Sequence, residues 1–106
     1  MVSAPASRCG MTCHAASFLG QELFRLRLEQ GMSLRGLARL FGMSAHSGLV
    51  DYERGLRIPP INIMHAYGRV FVGEHAYLMR LRRAAMVERA ANLVAARGTA
   101  SPVEIR

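Results

Sequence analysis

Lysine is absent from this chain: all 14 basic residues are arginine, set against only 7 acidic ones. Cysteine is almost as scarce. Cys9 and Cys13 lie near the N-terminus with His14 beside the second. A zinc site needs four protein ligands, or three and an open position. His46, His65 and His75 fall at no ligand-like spacing from that group, so no metal site is expected. A free thiol pair suits a reducing cytoplasm. No apolar run approaches the roughly 18 to 20 residues that span a bilayer. The N-terminus also lacks the charged start and continuous apolar core of a secretory signal. Cytoplasmic location without membrane association is therefore the expectation. Threonine is rare, Asn-Gly and Asp-Gly turns are missing, and no stretch alternates apolar and polar residues, which removes the signals for a β fold. Nucleophile-base-orienter sets, Gly-rich phosphate loops and clustered carboxylates are lacking too, so no catalytic residue, no enzyme activity and no cofactor are expected.

Apolar residues, by contrast, make up 51% of the 106 positions, enough for a globular core. The length allows one domain. The fold class expected is all-α, with about five helices. Residues 1–16 (MVSAPASRCGMTCHAA) have small, mixed composition and no periodicity, and are read as a disordered tail. A helix is expected from near Ser17 to Gly31, with Leu19, Leu23 and Leu26 on its core face and Phe24 and Leu28 off it. Later helices are expected at about 34–41, 46–54, Pro60 to Val72, and 74–96. The fourth carries Ile61, Met64, Tyr67, Val70 and Phe71, and the fifth Leu78, Leu81 and Ala85. Beyond Ala85 the apolar positions become alanine-rich, with Leu93 and Val94. That end is either a helix exposed in solution or a dimerisation arm. The folded domain should span 17–97, with 98–106 a second disordered tail.

The densest information lies in Gly31–Pro60, GMSLRGLARLFGMSAHSGLVDYERGLRIPP. Ser33 stands where a helix N-cap is wanted. Leu34, Leu37, Ala38 and Phe41 follow on one face at helical spacing. Gly42 suits a left-handed C-terminal position. Leu49 and Tyr52 form a second apolar set ahead of Glu53, Arg54 and Gly55, and the two prolines stop the run. Helix, glycine-containing turn and helix in so few residues is the pattern of a helix-turn-helix, whose second helix enters a DNA major groove.

The ordered set Gly31-x-Ser33, Leu37-Ala38, Gly42-x-Ser44, Leu49 and Tyr52-Glu53-x-Gly55, with Arg57 and the prolines beyond, resembles the Cro/repressor-type helix-turn-helix family, also called the xenobiotic-response-element family. With Leu19-Gly20 to Leu26 before it and the helical region after it, the resemblance covers roughly residues 18–85. It implies a λ-repressor-like helical domain with an extended C-terminal helix, and a sequence-specific transcriptional regulator that binds double-stranded DNA. Three positions depart from the family pattern. Leu34 stands where Gln is common, the interval from Ser44 to Glu53 is one residue longer than usual, and Val50 and Asp51 replace small polar or basic residues.

The net charge of +7 suits a polyanion, because neutralising phosphates releases condensed counterions. In the docking geometry of such a motif, the start and outer face of the third helix reach base edges. Those residues are His46, Ser47, Gly48 and Asp51, of which Asp51 can accept from a cytosine amine. Arg35, Arg39, Arg54 and Arg57 are the candidates for phosphate contacts. By the family's habit, Glu53 is expected either to pair with a basic residue of the body or to cap the loop, rather than to meet DNA. A homodimer on a two-fold site is expected because one short module seldom supplies enough affinity. The alternative is a protein-interaction module on the same fold, antitoxin-like or an adaptor, with weak or no DNA binding.

Overall fold

A computed structural model of the chain describes residues 14–98, and these form five helices with no strand among the described residues. They are α1 (His14–Glu29), α2 (Leu34–Leu40), α3 (Ser47–Glu53), α4 (Ile61–Val70) and α5 (His75–Gly98). The all-α expectation is met. Residues 1–13 of the tail assigned to 1–16, with Cys9 and Cys13, and residues 99–106 of the tail assigned to 98–106 lie outside the described residues.

α1 packs against both α5 and α3, while α4 packs on α5 and α2 on α3. Leu19, Leu23 and Leu26 recur at helical spacing and are all buried. They meet Leu37 and Ala38 of α2, Leu49 and Tyr52 of α3, Met64 and Tyr67 of α4, Phe71, and Leu78 of α5 in one core. Burial of each leucine, methionine and phenylalanine among them contributes about 1.5–3 kcal/mol. Tyr67 lies edge-on to Phe41 with ring centroids 5.0 Å apart and stacks on Phe71 at 5.8 Å. Burial raises the Tyr67 phenol far above its ordinary range, so it stays neutral.

Several expected boundaries move. α1 starts at His14, three residues into the stretch assigned to the N-terminal tail. Ala16 is buried there, and the Ala15 amide donates to Glu88 Oε1 of α5 at 2.6 Å. A first-turn amide has no partner within its own helix, and here α5 supplies one. α4 stops at Val70, two residues before the expected Val72, because Phe71 leaves helical geometry at ψ 78 to enter the core. Of the apolar residues on this helix, Met64 and Tyr67 are buried, whereas Ile61 at its first turn is 43% exposed. α5 extends to Gly98, past the expected domain end at 97.

α2 begins where the sequence placed it. The Ser33 hydroxyl accepts the Gly36 amide at 2.9 Å, and Gly42 ends the following turn at φ +74.

Candidate nucleic-acid interface

α3 has two contrasting sides. Leu49 and Tyr52 face the core, and Glu53 turns inward with its side chain only 7% exposed. Ser47 and Arg54 are exposed, with Val50 and Asp51 half-buried on the same outer side at spacings of three and four. The connection between α2 and α3 runs over residues 41–46, longer than the usual three- or four-residue turn, and the core positions of α3 stay in phase.

The inward side of this seven-residue helix is held by a nearly buried ion pair. Arg27 of α1 grips Glu53 through two bonds, Nε to Oε2 at 2.6 Å and Nη2 to Oε1 at 3.0 Å. Its remaining Nη1 donates to the Met32 carbonyl at 2.8 Å, so a single guanidinium ties the end of α1 to the end of α3 and to the entry of α2. Both side chains are nearly buried, which strengthens their attraction and forbids leaving either alone. The pairing raises the Arg27 pKa, the hydrogen bond to Glu53 being the main cause. Of the two roles expected of Glu53, pairing with a basic residue and capping the loop, it takes the first.

Glycine completes the joint. A Cβ on Gly20 would stand 2.5 Å from the carbonyl oxygens of both Tyr52 and Glu53, so only glycine lets α1 touch the backbone of α3. At Gly55, in the left-handed region at φ +78, a Cβ would lie 2.8 Å from Ser17 Cα. Two glycines and one ion pair thus fix α3 by its last turn.

The residues named for recognition fall in four places. Arg35, Arg39 and His46 converge with Ser44 around one open cleft of about 410 Å³ between α2 and the turn. Ser47, Asp51 and Arg54 lie on the outer side of α3. Gly48 is half-buried beside Met43, whose Sδ-methyl would touch a Cβ placed there at 3.5 Å, so it offers little surface of its own. Arg57 approaches Asp51 at 3.8 Å and sits over the Tyr52 ring at 5.7 Å. Asp51 thereby has part of its charge balanced at the surface, a weak pairing given how exposed both groups are.

Two features go beyond the residues named for recognition. Val50, named in the sequence as a departure from the family pattern, shares the outer side of α3 with Ser47 and Arg54 at spacings of three and four. The second is a histidine pair at the α4–α5 turn. His65 Nδ1 and His75 Nε2 are 3.0 Å apart. Their ring centroids are 5.1 Å apart, so the rings meet end to end about a single N–H···N bond. The ring of His75 occupies the space that a side chain on Gly68 would take. No third metal-ligating side chain joins them among the described residues.

No protein-family model, no curated protein and no solved structure matches this chain.

Proposed function

We propose that the protein is a DNA-binding transcriptional regulator of the λ-repressor-like kind that reads the major groove with the outer side of α3. The observation that supports this reading is the division of α3 into a locked inner side and an outer side carrying Ser47, Val50, Asp51 and Arg54, with Arg35, Arg39 and His46 beside it. A helix that must present side chains to base edges has to be placed rigidly, and the Arg27–Glu53 pair with Gly20 does that.

Arg35, Arg39 and Arg54 are exposed, with no ion-pair partner among the described residues, and serve as phosphate contacts that set register. Ser47 and His46 offer hydrogen bonds to base edges, Val50 an apolar contact, and Asp51 an acceptor suited to a cytosine amine. Two copies on a two-fold site would supply the affinity that one module lacks.

The test is a binding titration against the duplex upstream of the protein's own gene and against a random duplex, each at two salt concentrations. The reading predicts tighter binding to one sequence, weakening steeply as salt rises. Equal, feeble binding to both duplexes would reverse it. The second reading is a protein-interaction module on the same scaffold, favoured by the 63% exposure of Leu40 on α2.

A further inference from the structure

α5 carries two apolar stripes, and the body of the protein uses only one. Leu78 and Ala85 are fully buried against the core, with Leu81 half-buried beside them. A second set, Met86, Val87, Ala90, Leu93 and Val94, recurs at spacings of three, four and seven. At 100° per residue its centre is rotated by roughly 140° from the buried stripe. All five residues are exposed, Val87 at 63% and Val94 at 68%. Exposed apolar residues scattered singly need no explanation, but a continuous stripe over two turns marks an interaction surface.

The shape of the stripe suits a helix. Val87, Ala90, Ala91 and Val94 stand at i, i+3, i+4 and i+7, the four corners of a hole that receives one side chain from a facing helix. Two alanines form its floor and two valines its ends. Next to it, Met79, Met86 and Arg83 border an open cleft of about 410 Å³ with Arg80 and Arg82.

Charge selects the occupant. Between His75 and Ala96, Arg80, Arg82, Arg83 and Arg89 face a single acid, Glu88, which is engaged by the Ala15 amide. Arg82 is held by the Pro59 carbonyl at 2.8 Å and Arg80 lies over the Tyr77 ring, leaving Arg83 exposed beside the stripe with no partner among the described residues. A second copy of α5 would bring arginine against arginine. We propose that this face docks an amphipathic helix from a partner protein, apolar along its centre and acidic along its flanks, with Val87, Ala90 and Val94 receiving the apolar residues and Arg83 the acidic ones.

The proposal does not depend on DNA binding and is tested separately. The full chain, labelled with nitrogen-15, is titrated with a three-heptad helical peptide bearing leucines on one face and glutamates on its flanks. A lysine-flanked counterpart of the same apolar face is the comparison. The expected result is amide perturbation centred on residues 79–94 and binding about tenfold tighter for the glutamate peptide. Arg83→Glu should remove that preference. Val87→Asp should abolish binding while leaving thermal unfolding unchanged, since the side chain is exposed. No perturbation, or equal binding of both peptides, would overturn the proposal. So would sedimentation showing a dimer that Val87→Asp dissociates, or binding to phosphatidylserine vesicles that Val87→Asp removes; these assign the face to a second copy or to a lipid surface.

Discussion

The α1–α3 joint and the distal half of α5 treat their side chains in opposite ways. At the joint, polar and apolar groups are all consumed: Leu49 and Tyr52 are buried, Glu53 is gripped twice by Arg27, and Gly20 brings two backbones into contact. Along α5 beyond Ala85, apolar residues at helical spacing face outward, and the arginines around them find little acid. The first region is finished within one chain. The second has the pattern of a packed helix without the packing. The joint thus encloses the groups it carries, whereas the distal half of α5 leaves its apolar side chains exposed.

Breaking the joint should have the largest effect. Glu53→Ala leaves the Arg27 guanidinium buried without its partner, which should destabilise the protein by about 3–5 kcal/mol in urea unfolding. Leu49→Ala attacks the same helix through its core contact and should cost about 2–5 kcal/mol, since the residue is fully buried. Removing the cap with Ser33→Ala should cost about 1 kcal/mol, measured the same way, because one amide at the start of α2 loses its acceptor. Val94→Asp on the outer stripe of α5 should change stability by no more than about 0.5 kcal/mol; a large loss would mean that the stripe is packed after all.

The smallest effect concerns acid. Glu22 is held below the ordinary carboxylate value chiefly by its hydrogen bond to Arg25, assisted by Tyr77 and opposed by partial desolvation. A lowered value contributes stability that is present above about pH 4.3, the unfolded carboxylate value, and lost as pH falls through the folded one. Glu22→Gln should therefore flatten the acid limb of the stability–pH curve slightly, with little change at neutral pH; an unchanged limb would contradict the assignment.

What could be read in the sequence followed from local periodicity. Leu19, Leu23 and Leu26 mark a core face, Ser33 marks a helix start, and Gly42 marks its end, because each depends on neighbours within a turn or two. The inward role of Glu53 was legible only as a habit of acids at that position. Its partner was not, because Arg27 lies 26 residues away and sits beside core Leu26, where a charge gives no periodic signal. The outer stripe of α5 was half visible: Leu93 and Val94 stood out, but Met86 and Val87 joined them only when the buried face was fixed by Leu78 and Ala85. The start of α1 at His14 was hidden because Glu88, which receives the Ala15 amide, is 73 residues distant. The histidine pair has the same cause, since the turn at Gly73 brings together two residues ten apart.

The most direct test of the account is to map duplex DNA onto the protein by amide chemical-shift perturbation, using the upstream sequence at low salt. The prediction is that shifts concentrate on Arg35, Arg39, residues 46–51 and Arg54, while Met86 to Val94 stay unperturbed. Shifts centred on α5, or none on α3 at saturating DNA, would contradict the claim that α3 is the reading helix.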